Sequence, residues 1–131
     1  MIDRLRLTAS AKNQLSALKR KTAIEHNNAL CRHALCLSLA NPSLPPNERH
    51  NFVGGIDIDF RTFTGGHETL YINLLATRLG QDGIAVSDEN IREALTLHVH
   101  RGLSYLASRR ETDLSFELAQ SLSIAWSNGK T

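Results

Sequence analysis

MIDRLRLTASAKNQLSALKRKTAIEHNNALCRHALCLSLA, residues 1–40, holds one strand pattern and two helical ones in succession. In Arg4-Leu5-Arg6-Leu7-Thr8 two leucines alternate with arginines and a threonine, the period of a short strand with one buried face. Ile2 and Asp3 break that alternation at the fraying end. From Ser10 to Lys21 the period changes, and Ala11, Leu15 and Leu18 fall on one side of a helix that ends in Lys19-Arg20-Lys21. Thr8 or Ser10 can cap its start, because a hydroxyl there accepts from the free N–H groups of the first turn. The basic triplet falls in the last turn, where exposed carbonyls favour cations, and this alone would account for it. A second helix, from about Glu25 to Ala40, carries Ala29, Leu30, Ala34, Leu35, Leu37 and Leu39 and stops at Asn41-Pro42. So broad an apolar stripe is buried on most sides, at the centre of the domain or at a subunit interface.

Five residues are too few to stand alone as a strand, so the opening segment needs a partner. Antiparallel pairing with a second copy of the chain is the economical solution. A basic strand followed by two helices then has the order of a ribbon-helix-helix DNA-binding unit, in which strands from two chains lay one face on DNA. The expected fold is mainly α and a single domain over residues 1–131. It has a ribbon-helix-helix-like unit in 1–40, a short extended segment in 52–64, and a helical remainder of about three further helices in 67–126.

All three prolines fall in Asn41-Pro42-Ser43-Leu44-Pro45-Pro46-Asn47, which reads as a loop around the outside of the domain. In Gly54-Gly55-Ile56-Asp57-Ile58-Asp59-Phe60-Arg61-Thr62-Phe63-Thr64-Gly65-Gly66 apolar and polar residues alternate between two glycine pairs, which predicts a strand or an ordered loop. Glu68 to Leu79 reads as a helix with Leu70, Tyr71, Leu74, Leu75 and Leu79, followed by Gly80 as its stop. Ser87 starts a longer helix with Ile91, Leu95, Val99, Leu103 and Leu106, with Asp88 and Glu89 in the first turn and Arg109 and Arg110 near the end. A last helix runs from about Leu114 to Trp126 with Leu118, Leu122 and Ala125 inward.

The 131-residue chain is long enough to bury a core, and with aromatics at 5% that core is built from leucine and isoleucine. Its formal net charge is only +2, but the distribution is uneven. Residues 1–40 carry seven Lys/Arg against Asp3 and Glu25, and residues 41–131 carry eight against eleven acids. A basic end on an acidic body is the footprint of a polyanion-facing surface; a solvated helix face is the plainer account. Cys31 and Cys36, five apart in one helix, sit roughly 8 to 9 Å apart at helical rise and radius, too far for a disulfide. No signal-peptide or membrane-spanning run is present, so the expected location is the cytoplasm, with no membrane partner.

The six histidines raise the question of a metal. Cys31, His33 and Cys36 scatter around their helix, and His98 and His100, two apart, point to opposite sides, so no metal site and no cofactor is expected. The glycine pairs lack the lysine and Ser/Thr of a phosphate loop. Asp57, Asp59, His67 and Glu68 form the one polar cluster that could hold Mg²⁺ for DNA nicking, although alternating carboxylates on a half-buried strand are ordinarily its solvent face. The basic N-terminus is the stronger signal. Arginine suits bidentate contact with phosphate or a guanine edge, and lysine neutralises phosphate. Residues 1–40 contain no aromatic side chain, which disfavours stacking on single strands and favours a duplex backbone.

The run Leu30-Cys31-Arg32-His33-Ala34-Leu35-Cys36-Leu37-Ser38-Leu39, the proline loop, Phe63-Thr64-Gly65 and Leu79-Gly80-Gln81-Asp82-Gly83 together resemble the DndE family of DNA sulfur modification proteins over about residues 4–110. The resemblance implies a non-catalytic accessory subunit of DNA phosphorothioation, homotetrameric and working alongside the other proteins of that system. It also implies binding of nicked double-stranded DNA through basic residues, here Lys12, Lys19, Arg20 and Lys21. Ala23 stands where a glycine is expected between the helices, and the resemblance does not extend over the tail after Arg110. Two other readings stand beside it: a metal-dependent nicking enzyme using Asp57, Asp59 or Glu68, and a ribbon-helix-helix repressor reading bases through Arg4 and Arg6.

Overall fold

The computed structural model describes residues 2–109. Its elements run β1 (Arg4–Leu7), α1 (Ala9–Thr22), α2 (Asn27–Ala40), β2 (Ile56–Asp59), α3 (Phe60–Thr64), α4 (Glu68–Gln81) and α5 (Asp88–Ala107). The described residues thus form a mainly helical domain, as the periodicities predict, and contain one small antiparallel sheet; the helix expected over Leu114 to Trp126 lies outside them.

The alternation of the opening strand is real: Leu5 and Leu7 are buried and Arg4 and Arg6 exposed. Its partner differs from the one expected. β1 pairs antiparallel with β2 of the same chain, in the register Arg4 with Asp59, Leu5 with Ile58, Arg6 with Asp57 and Leu7 with Ile56. Two period-two segments with matched charges meet in cis, so the strand, helix, helix order is present without the intermolecular ribbon. Ile2 also packs inward, and the Asp3 carbonyl accepts from the Phe60 N–H at 2.9 Å, which fastens the end expected to fray. Gly55 lets β2 approach: a Cβ there would lie 1.8 Å from the Leu7 carbonyl oxygen.

The expected extended segment in 52–64 is half right. Only Ile56–Asp59 is a strand, and Phe60–Thr64 turns into a helical turn because the Asp59 carboxylate accepts from Thr62 N–H at 3.2 Å and Gly65 closes it with φ 64°. Phe60 and Phe63 therefore both point into the core, where a strand would have sent them apart. The stop at Gly80 is likewise corrected: α4 runs through it to Gln81, and the left-handed glycine is Gly83. On α4 Leu75 and Leu79 are buried, whereas Leu70 and Leu74, expected inward, stand 56% and 40% exposed.

The broad stripe of α2 is explained by its place in the centre of the domain. α2 packs along α5, and α1 and α4 lean on α5 from other sides. Leu30, Cys31, Ala34 and Leu35 of α2 face Leu95, Val99, Leu103 and Leu106 of α5 in one core. The two helices touch at Gly102, where an added Cβ would fall 1.8 Å from the Ala34 carbonyl oxygen.

A buried polar network holds the C-terminal end of α2. Helix ends leave their last four carbonyls without helical partners. Here Arg101 donates to the Ser38 carbonyl at 2.7 Å and the Ser43 carbonyl at 2.9 Å, and Arg78 donates to the Leu39 carbonyl at 3.1 Å and the Ser43 carbonyl at 2.7 Å. Asp82 pairs with Arg78 at 3.0 Å. Arg101 Nε also donates to Ser38 Oγ at 2.8 Å, and Ser38 Oγ lies 2.7 Å from His98 Nδ1. The Ser38 hydroxyl can accept from Arg101 and still donate its proton to Nδ1 of a neutral His98. Burial, then the charges of Arg78 and Arg101, push His98 down from 6.5 to about 4, with Asp82 opposing.

Gly102→Ala should lower unfolding free energy by about 3 kcal/mol or more, read by urea denaturation, because backbone rather than a flexible side chain blocks the new methyl. Ala23 closes α1 with left-handed backbone at φ 59°, so in the same assay Ala23→Gly should stabilise by about 1 kcal/mol. For His98 the folded value lies below the unfolded one, so its contribution is complete above pH 6.5 and declines as pH falls toward 4. Between those limits His98→Asn should flatten the pH slope of stability by up to roughly 1.4 kcal/mol per pH unit.

Candidate nucleic-acid interface

α1 is a helix with one apolar side and no acid. Thr8 Oγ1 accepts from Ala11 N–H at 3.1 Å to cap it, and the Ala23 N–H returns to the Lys19 carbonyl at 3.1 Å to end it. Ala11, Leu15 and Leu18 are buried, which turns the rest of the helix to solvent. Lys12, Arg20 and Lys21 are exposed and Lys19 half-buried. At 100° per residue Lys12 and Lys19, seven apart, share one flank, Arg20 points away from the core, and Lys21 takes the other flank. Among the described residues none of these four side chains has an ion-pair or hydrogen-bond partner. Four cations along one helix, without a carboxylate among them, make a surface that repels itself until an anion covers it.

Arg4 and Arg6 belong to a different element and a different environment. Both reach Asp57, Arg4 Nη1 at 3.2 Å and Arg6 Nε at 3.5 Å, and the Arg6 guanidinium lies 4.7 Å over the Phe52 ring. Exposed pairs of this kind are weak, so the arginines are anchored rather than locked. They line a cleft of about 480 Å³ with Asp3, Glu48, His50, Phe52, Arg92 and Glu93. Three arginines face three acids there, so the cleft is charged but balanced. Sequence reasoning missed it, because His50, Phe52 and Arg92 lie on a loop and a helix with no shared period with β1.

The histidine beside this cleft is committed to the fold. His100 Nε2 accepts from Thr8 N–H at 3.2 Å while Nδ1 meets the Thr96 carbonyl at 2.7 Å, which assigns the proton to Nδ1. His50 stacks on it with ring centres 4.3 Å apart. Burial holds His100 below the usual histidine range, the Thr96 bond opposes, and His50 adds to the lowering. His33 is lowered by burial and by Arg32.

The carboxylates weighed for metal have other partners or places. Asp57 is shared by Arg4 and Arg6, Asp59 caps α3, and Glu68 sits in the first turn of α4 beside exposed His67. Among the described residues no group of three or more His, Cys, Asp or Glu side chains converges as a metal site would require. Both cysteines are free, and burial pushes the Cys31 thiol up to about 12 against a lowering by Arg32, so it is no nucleophile. No described helix is long and apolar enough to cross a membrane.

Comparison with known proteins bears on the fold and the family. The crystal structure of DndE from Escherichia coli B7A, involved in DNA phosphorothioation modification, shares the fold at a TM-score of 0.65 and 20% identity, over 79% of this chain and 97% of that one. A search of curated proteins finds no match. The family model for the DNA sulphur modification protein DndE matches residues 4–113, most of the chain. On that match the chain belongs to the DndE family of DNA sulphur modification proteins.

Proposed function

We propose that this chain is a non-catalytic DNA-binding subunit of a DNA phosphorothioation system, holding duplex DNA, nicked duplex included, while partner proteins of that system carry out the chemistry. The observation that carries the reading is α1: Lys12, Lys19, Arg20 and Lys21 project from a helix with no acidic residue and no internal partner for these side chains among the described residues. Such a surface tracks a phosphate backbone rather than base edges, since neutralised phosphates release counterions whatever the sequence. Several copies would extend the basic track. The apolar pair Leu70 and Leu74 on the outer face of α4 is the surface that best supports self-association into the tetramer that the family resemblance implies. The nicking reading is less supported, because Asp57 and Asp59 are engaged by arginines and by a helix cap. The repressor reading loses its paired ribbon, since β1 is matched within the chain.

A salt titration of binding to duplex DNA tests the proposal. The slope of log K against log salt should be steep, and Lys19→Ala, Arg20→Ala and Lys21→Ala together should make it shallower by roughly 2 to 3, since each phosphate left unneutralised removes about 0.9. Arg4→Ala with Arg6→Ala should leave the slope nearly unchanged. A flat salt response, or a triple variant that binds as the parent does, would sink the reading. Sedimentation of Leu70→Lys with Leu74→Lys checks the assembly face separately: the variant should move to a smaller species with its helix content intact.

A further inference from the structure

The two-stranded sheet has an edge that the chain covers only in part. In an antiparallel pair, successive residues turn their backbone groups toward the partner strand and away from it in alternation. The bond from the Phe60 N–H to the Asp3 carbonyl fixes the phase: Asp3, Leu5 and Leu7 turn theirs to β2, and Arg4, Arg6 and the Thr8 N–H turn outward. The Thr8 N–H is met from α5 by His100 Nε2 at 3.2 Å. Among the described residues nothing meets the outward N–H or carbonyl of Arg4 or Arg6. The cleft of about 480 Å³ lies along this open stretch, with Arg4 and Arg6 on one wall, Thr96 and Leu97 of α5 on another, and His50 and Phe52 on a third. Its volume falls in the range of roughly 300 to 1,000 Å³ that ligand sites occupy. An open strand edge inside a cleft is a template for a further strand, because main-chain groups supply the bonds and the walls select the side chains.

We propose that an extended acidic segment of another protein adds there as a third strand beside β1, with a carboxylate facing Arg4 or Arg6 and small apolar side chains turned to Thr96 and Leu97. Charge and hydrogen bonding decide the occupant. Arg4 and Arg6 share the one carboxylate of Asp57, at 3.2 and 3.5 Å, while Asp59 is turned to the start of α3. A carboxylate on the added strand gives the second arginine a partner of its own without parting Asp57 from the first, and opposite charges on facing strands stabilise their pairing. A second copy of β1 does not fit. Only Arg4 and Arg6 offer open backbone groups, so each pair formed between two copies would set arginine opposite arginine. A phosphate backbone does not fit either, since it offers acceptors and no donor for the two outward carbonyls. The site lies on β1 and does not depend on what the basic side of α1 binds.

Amide hydrogen exchange of the full chain, read residue by residue with and without short capped peptides, tests this. In the protein alone the Arg4 and Arg6 amides should exchange fast, and those of Leu5 and Leu7, bonded to β2, slowly. A peptide alternating glutamate and valine should slow Arg4 and Arg6 by about tenfold once about nine-tenths of the protein is bound, and leave Asp57, on the outward edge of β2, unchanged. N-methylation of the glutamate amides, which face β1, should abolish the slowing; N-methylation of the valine amides should preserve it. No slowing at millimolar peptide would overturn the proposal, as would slowing at Asp57 in place of Arg6. Equal binding of the two methylated peptides would overturn it too, because the contact is then ionic only. So would slow exchange of Arg4 and Arg6 in the protein alone: a second copy holds the edge if that protection fades on dilution, and the chain itself if it does not.

Discussion

The structure depends on the closeness of α2 and α5 at Gly102. A methyl group there has no room beside the Ala34 carbonyl, so the two helices lie nearly backbone to backbone at that point. The approach lets the leucines on either side interdigitate. It also brings Arg101, next to Gly102 in the chain, under the end of α2, where its guanidinium meets carbonyls that no helical N–H can reach. Arg78 arrives at the same helix end from α4, and both arginines share Ser43. Two cations at the negative end of a helix dipole, with Asp82 against one of them, form an arrangement whose charges help each other only as a set. Removing one member would strand carbonyls and a charge in a dry place, so the geometry of three helices is tied to one polar knot.

That frame decides what α1 can do. With its apolar side laid on α5 and both ends capped by its own residues, the helix is rigid, and its basic side has no choice but solvent. These basic residues are therefore sorted by burial and pairing into separate roles. Arg78 and Arg101 are structural, Arg4 and Arg6 are half neutralised by Asp57, and the four on α1 are uncommitted. A net charge of +2 describes none of this. What an anionic partner meets is the uncommitted subset, concentrated on one element.

Much of this is legible in residues 1–40. The alternation of Leu5 and Leu7, the cap at Thr8, the spacing of Ala11, Leu15 and Leu18, and the end of α2 at Asn41 are local facts with local causes. The expected glycine at position 23 is explained too, since the backbone there is left-handed. The partner of β1 is not legible, because period two says that a strand needs a neighbour and not whose. Phe60 to Thr64 continues the alternation of β2 and so reads as strand, although Asp59 with Thr62 three residues on and Gly65 beyond carry the signature of a capped turn. Nothing in the local sequence marks Arg78, His98 and Arg101 as buried. Apart from Asp82, four residues from Arg78, the partners lie 35 to 63 residues away, and only the helix crossing brings them indoors.

The same limit explains why the candidate site is only half visible in the sequence. A basic helix can be seen there because all its charges sit on one element; a cleft assembled from β1, a loop and α5 cannot. The distinction also bears on the proposal that α1, and not the cleft, is the surface for DNA. The cleft around Arg6 and Phe52 carries as many acids as arginines, so bringing a phosphate to it means separating existing pairs such as Arg4 with Asp57. On α1 no such pair has to be broken, and every phosphate that arrives relieves repulsion among neighbouring cations. Balanced surfaces select partners by shape and hydrogen bonding, whereas an unbalanced one selects by charge. The proposed role, gripping duplex DNA at any sequence, calls for the second kind, and the basic side of α1 is of that kind.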